Sequence, residues 1–399
     1  MSESSRSRRV HVFGSLCALV FFVNFGRVAF APLYGPFMAE FGVNRATVGV
    51  TASLVWLGSA LPRIPTGYLL TRVARHRVVL ATGGFLTGAS AFTALAATIE
   101  MVFVGGFLIG ISSGAYFIAA NPLISELFPE RVGRVIGVHG TAMQLAAVGA
   151  PVTVGALLGV TDWRTVFWLL AAVAGVTTLA LFATTRRADL PEAGAADRNL
   201  VRAVRRQWRL VFAGIAILGV TTLVWNGFWN FYTLYAVEAK GLTSGTANLL
   251  LTGMFAAGVP AFWFAGRLAD RVAYVPLLLA VLAGFVVCLF ALTYASGLLA
   301  VTVATLATGA VVHCLFPTID TFLLDSLPDA DRSSAYSAYS AGMMTMQAAG
   351  GTVVGVLSTD LPYDLVFRLL AVALGALVVA LVVAYRADLL PEGAAETPT

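Results

Sequence analysis

The chain has 399 residues, 59% of them hydrophobic and 11% charged, with 25 Lys/Arg against 20 Asp/Glu and a formal net charge of +5. A soluble globular domain carries about 25% charged residues and shows amphipathic helices joined by charged loops, so an ordinary water-soluble enzyme is excluded. Apolar windows of about 20 residues, the length that crosses a hydrocarbon core of about 30 Å, recur from end to end and predict an all-α polytopic membrane protein.

The opening stretch, MSESSRSRRVHVFGSLCALVFF, is basic and then apolar, like a secretory signal. The apolar run continues past Arg27 to Met38 with no small-x-small cleavage site, so it reads as a retained first span. In chain order the predicted spans are 11–38, 47–71, 77–98, 101–125, 134–159, 163–184, 210–236, 246–265, 274–295, 298–324, 334–358 and 363–385. Cys17, Cys288 and Cys314 fall inside apolar windows and the four histidines show no ligand spacing, so neither a disulfide framework nor a metal site is expected. No Walker-type phosphate loop and no cofactor motif occurs, so no cofactor is expected and ATP drive is not.

Basic residues set the expected orientation, because cytoplasmic loops are enriched in them. With the N-terminus inside, 19 Lys/Arg fall on the cytoplasmic side and four outside: Arg45, Arg164, Lys240 and Arg368. Both termini are then expected in the cytoplasm of a prokaryotic cell, with the protein in its plasma membrane. This placement explains the positive charge as topology, and no nucleic acid partner is expected. Two arginines, Arg27 and Arg63, are left within the membrane.

The chain also repeats. GYLLTRVARHRVVL begins at Gly67 and GRLADRVAYVPLLL at Gly266, 199 residues later, each closing the second span of a six-span set. The sets end alike, RRADLPEAGAA from Arg186 and YRADLLPEGAA from Tyr385. Two homologous halves follow, 1–184 and 210–399, joined by an arginine-rich linker at 185–209. Two six-span halves suit a transporter with its substrate site between them.

The repeated loop resembles the signature of the major facilitator superfamily, Gly-x-Leu-x-Asp-Arg-x-Gly-Arg-Arg/Lys. The second copy fits at Gly266, Leu268, Asp270 and Arg271; the first fits at Gly67, Leu69, Arg72, Arg75 and Arg77, with Thr71 in place of Asp. ELFPERVGRVIG from Glu126 and the Trp163-Arg164 opening of span six are similar to that superfamily as well. The resemblance implies twelve helices in two pseudo-symmetric halves and transport by alternating access, with the cavity lined by spans one, four, seven and ten. It also implies gating at the rim. There Gly67 and Gly266 allow close helix approach, and Arg72, Arg75 and Arg271 meet carboxylates such as Glu126, Asp270 and Asp325 in one conformation and release them in another. Topology alone also accounts for those arginines. The superfamily's span-four arginine is replaced by Gly106. LPRIPTGYLLTR is similar to the Arg-Ile-Pro segment of nitrate/nitrite porters, in which the arginine binds the anion, making Arg63 the counterpart. Their Gly/Asn-rich signatures are absent, and the second-half equivalent of Arg63 is Phe262.

A charge in the bilayer interior costs several kcal/mol and marks a function by default, and guanidinium does not lose its proton. The N-terminal half offers neither Arg27 nor Arg63 a mid-membrane carboxylate. Guanidinium binds carboxylate, phosphate or nitrate through paired donors, so the expected partner is an anionic solute. The alternatives are an ion pair with Asp320, or a structural arginine on carbonyls freed by Pro62 and Pro65. Asn24 shares a helix face with Arg27, and Asn226 shares one with Asn230. With Tyr116 and Trp229 they are the expected walls of the site. His313 and Asp320 are the expected coupling pair, since histidine changes charge near neutral pH; a hydrogen-bonded core histidine is the competing reading. Gly106, Gly110 and Gly114 form a packing stripe. The expectation is a monomeric secondary transporter, not an enzyme, moving a small anionic solute across the bilayer, with a proton as a possible coupling ion. Efflux of a hydrophobic or zwitterionic compound and a non-transporting sensor or scaffold are the rivals.

Overall fold

The computed structural model describes residues 3–186, 190, 200–269, 272, 274–315 and 329–387. Every regular element among them is helical. The chain divides into two compact units, Met1–Arg198 and Asn199–Thr399. Among the described residues, seven helical stretches suffice by length and composition to cross a membrane: Arg8–Phe41, Ile99–Leu127, Arg134–Leu158, Arg164–Thr185, Trp208–Glu238, Val275–Tyr294 and Tyr363–Arg386.

In the first unit the helices are α1 (Glu3–Val28), α2 (Tyr34–Phe41), α3 (Arg45–Ala60), α4 (Arg63–Leu69), α5 (Arg75–Ala94), α6 (Ile99–Leu127), α7 (Val132–Leu158) and α8 (Arg164–Thr185). The first two expected spans are each broken. Span one stops at Val28, passes through a 3-10 turn at Ala31–Leu33 and resumes as α2; Pro32, which cannot donate to the helix ladder, sits inside that turn. Span two stops at Ala60, with Pro62 at the break, and Pro65 falls in the first turn of α4, where an N–H is not needed. Arg63 therefore opens a short helix and does not sit in mid-helix.

The second unit contains α9 (Leu200–Arg206), α10 (Trp208–Glu238), α11 (Ser244–Ala269), α12 (Tyr274–Tyr294), α13 (Leu298–His313), α14 (Asp329–Asp360) and α15 (Tyr363–Arg386). Its internal pairings mirror those of the first unit. The pairings α1 with α7, α3 with α6, and α5 with α8 recur as α10 with α14, α11 with α13, and α12 with α15. The layout is that of twelve spans in two sets of six.

Lipid supplies no hydrophobic drive between helices, so close approach at small residues has to hold them together. A Cβ added to Gly110 would run into the Val55 carbonyl oxygen, and one added to Gly114 into that of Ser59. The stripe on α6 thus exists to admit the backbone of α3. In the second unit Gly350 of α14 meets the Leu223 carbonyl of α10 in the same way.

Both units also carry an ion-pair joint, with the charges exchanged. In the first, Arg164 at the start of α8 pairs with Glu40 of α2 at 2.7 Å and donates to the Ala96 carbonyl at 2.9 Å, while Trp163 donates its indole N–H to Glu40. In the second, Asp364 at the start of α15 pairs with Lys240 at 3.0 Å; Lys240 donates to the Thr293 carbonyl at 2.9 Å, and Tyr235 donates to Asp364. Arg164 and Asp364 stand 200 residues apart in the repeat. Gly42 ends the helix that carries Glu40 and Gly241 follows Lys240, with φ of 65° and 68°. That left-handed backbone favours glycine.

Two outcomes follow. Gly110→Ala drives α6 off α3 and lowers the apparent Tm in detergent by several degrees, in line with about 1–3 kcal/mol for overpacking. Gly88→Ala, whose Cβ meets nothing within 4 Å, leaves the Tm unchanged or slightly higher. At the joint, Glu40→Lys and Arg164→Asp each destabilise the first unit. The double variant adopts the polarity of the second unit and recovers about 0.5–1 kcal/mol in a double-mutant cycle.

Candidate functional site

Arg27 lies one residue before the end of α1, 5% exposed, where the helix gives way to the Pro32 turn. Protein groups stand in for its hydration shell. One Nη donates to Asn24 Oδ1, and the other reaches Ser59 Oγ of α3 at a long 3.5 Å. Its Cζ is 4.7 Å from the Trp56 ring centroid and 5.3 Å from that of Phe117, so α3 and α6 each offer an aromatic ring to the cation. Asn24 is itself fixed, donating to the Met143 carbonyl of α7 at 2.8 Å. Three helices thus supply the groups around one guanidinium, and a fourth, α7, holds Asn24.

What the cage lacks is negative charge. Among the described residues no carboxylate pairs with Arg27, and its buried Nε has no acceptor. Among the described residues the charge that acts on it is that of Arg63, of the same sign. Arg63 itself is half-buried at the start of α4. Buried donors are almost always paired; Gln144 Nε2 of α7 and the Nε atoms of Arg9 and Arg75 are further ones in this unit without an acceptor among the described residues.

The other expected residues are placed as follows. Tyr116 is fully buried, and both roles of its hydroxyl are taken within the unit. It donates to the Leu16 carbonyl of α1 at 2.8 Å and meets His139 Nε2 of α7 at 2.9 Å. It braces α1, α6 and α7 and does not present a free hydroxyl to a cavity. His139, stacked on Tyr116 with ring planes 15° apart, was not singled out from the sequence. No spacing marks it, because its partners lie on other helices.

In the second unit Asn226 and Asn230 do share a face of α10: Asn230 Nδ2 donates to the Asn226 carbonyl at 2.8 Å and to its side-chain oxygen at 3.2 Å. Asn226 Nδ2 is buried without an acceptor among the described residues. Trp229 is buried edge-on against Phe255. His313 directs Nδ1 at the Gly309 carbonyl, 2.7 Å away, and packs edge-on to Trp225 and Phe255, which is the arrangement of a core histidine. Asp320, its expected coupling partner, lies outside the described residues.

At the rim Arg75 pairs with Glu126 at 2.9 Å, joining the start of α5 to the end of α6. Arg72 is exposed, and Gly67 lies in α4. Gly266 lies in α11, whereas Asp270, Arg271 and Asp325 are outside the described residues.

The profile of the Major Facilitator Superfamily matches residues 16–243 and 214–399. The galactose-proton symporter of Escherichia coli (strain K12) is 26% identical over 198 residues, 49% of this chain and 41% of that protein. A probable anion transporter of Oryza sativa subsp. japonica is 25% identical over 240 residues, 56% of this chain and 54% of that one. The matches therefore span only about half the length of these relatives. Among solved structures, a bacterial homolog of the human lysosomal transporter Spinster, inward-facing and unoccupied, superposes with a TM-score of 0.77 at 15% identity, covering 96% of each chain. The fold is shared at that distance, and the profile covers the chain: this protein is a multi-pass membrane transporter of the Major Facilitator Superfamily.

Proposed function

We propose that the chain is a secondary transporter of a small anionic solute, organic or inorganic, that works by alternating access in a prokaryotic plasma membrane with both termini in the cytoplasm. Arg27 is the principal anion-binding group and Arg63 the second. One observation carries the reading: a buried, permanently charged guanidinium held by neutral groups, with an N–H left over and, among the described residues, a second cation and no carboxylate acting on it. A structural arginine relieves the cost of its burial with a carboxylate or a full set of carbonyls; here Asn24, Ser59, Trp56 and Phe117 hold the group in position without neutralising it. An anion on the Nε edge gains charge-assisted hydrogen bonds, which are roughly twice as strong as neutral ones. The similarity to a probable anion transporter points the same way. Asn24 is then a positioning residue, and Asn226, Asn230 and Trp229 are second-unit candidates for contact with the solute. Rim exchange involves Arg75 and Glu126, with Arg72, Gly67, Gly266, Asp270, Arg271 and Asp325 as further candidates.

The test is thermal stabilisation of the purified protein by nitrate, phosphate and a set of mono- and dicarboxylates. A ligand present at 100 times its Kd stabilises the folded form by about 2.7 kcal/mol, a shift of several degrees. One anion class is expected to shift wild type but neither Arg27→Gln nor Arg63→Gln, with both variants folded and Arg27→Gln no less stable than wild type without ligand. Stabilisation by uncharged amphiphiles alone, or an Arg27→Gln variant that unfolds while no anion acts on wild type, sinks the anion reading.

A further inference from the structure

The Tyr116–His139 contact fixes which ring nitrogen carries the hydrogen. A tyrosine hydroxyl has one hydrogen, and a carbonyl only accepts. With that hydrogen donated to the Leu16 carbonyl at 2.8 Å, the 2.9 Å contact to His139 must be donated by Nε2–H. Nδ1 is then the ring's lone-pair nitrogen, and no hydrogen bond to it exists among the described residues. A proton arriving at Nδ1 makes the imidazolium without breaking either existing bond, because Nε2 remains a donor and the tyrosine oxygen remains its acceptor.

The charged surroundings are sparse. From α6 the facing titratable group is Tyr116 itself; from α1, Cys17 lies beside that tyrosine. Among the described residues no carboxylate or cation acts on His139, from α8 or from any other neighbouring helix. A link to the anion site does exist. His139 and Met143 are one turn apart on α7, the Met143 carbonyl accepts from Asn24, and Asn24 accepts from Arg27. Imidazolium at 139 and guanidinium at 27 would place two positive charges in one buried network. A bound anion relieves both.

We propose that His139 is a proton-binding site, accepting at Nδ1, whose occupancy rises when an anion sits on Arg27, so that proton and solute are bound together. The second half rests on the anion reading above; the first does not. Coupling between two sites is reciprocal, and a typical strength of 5–150-fold corresponds to about one to two pH units.

The experiment is 15N NMR of histidine-labelled protein in lipid bilayers from pH 4 to 8. The His139 signal is assigned by its loss in His139→Gln, and each spectrum is taken with and without the anions of the stabilisation panel. The expected result is an Nε2–H imidazole at pH 8 that protonates at Nδ1 within this range, with a midpoint raised by about one unit or more by a stabilising anion and not raised in Arg27→Gln. Tyr116→Phe, which removes the acceptor of Nε2–H, is expected to change the tautomer balance. An Nδ1–H tautomer, or no protonation between pH 4 and 8 with or without anion, overturns the proposal. A midpoint that ignores an anion shown to stabilise the protein overturns the link to Arg27. If no anion stabilises wild type, the transport reading fails separately, and protonation at Nδ1 alone decides the site.

Discussion

Arg27 cannot discard its charge, and the bilayer cannot hydrate it; the first unit is arranged around that constraint. A lysine there has the option of neutrality, but guanidinium retains its proton in nearly any environment. Its solvation has to be built from Asn24, Ser59 and two aromatic rings, and each of those has to be held by something else. Asn24 is held by α7. Ser59 and Trp56 are held by α3, which the glycine stripe of α6 brings into backbone contact. Packing and electrostatics are therefore one problem here: the glycines place the walls, and the walls make the charge tolerable.

The repeat shows which features of that solution are general. Helix pairings recur between units, as do the left-handed glycines at 42 and 241. The arginines do not recur: 199 residues on from Arg27 and Arg63 stand Asn226 and Phe262. The ion-pair joints recur with opposite polarity, Glu40–Arg164 against Lys240–Asp364. What the joint requires is opposite charge and an aromatic donor, not a particular sign at either end. Side-chain chemistry is thus asymmetric on a nearly symmetric frame.

Much of the frame was legible in the sequence, because hydropathy and a 199-residue repeat are one-dimensional signals. The glycine stripe was legible too, since its four-residue step is a helical period. The breaks at Pro32 and Pro62 were missed as breaks: an apolar run continues through a proline turn without any change in composition. At the site, Arg27 and Asn24 could be paired because they lie three residues apart on one helix. Tyr116, expected to face a cavity, proved to be occupied by partners 100 and 23 residues away, a distance at which sequence carries no pairing signal. His139 escaped for the same reason. His313 was noticed for its depth, yet depth alone does not separate a titrating group from one packed among tryptophan and phenylalanine.

Ser59 has a double duty. Its carbonyl lies where Gly114 leaves room for it, and its hydroxyl reaches toward Arg27. One residue thus ties the closest backbone crossing in the unit to the group that meets the cation. A change at Ser59 therefore reaches the cation and the helix crossing together, whereas Trp56, three residues earlier on α3, and Phe117 on α6 meet the same cation through their rings.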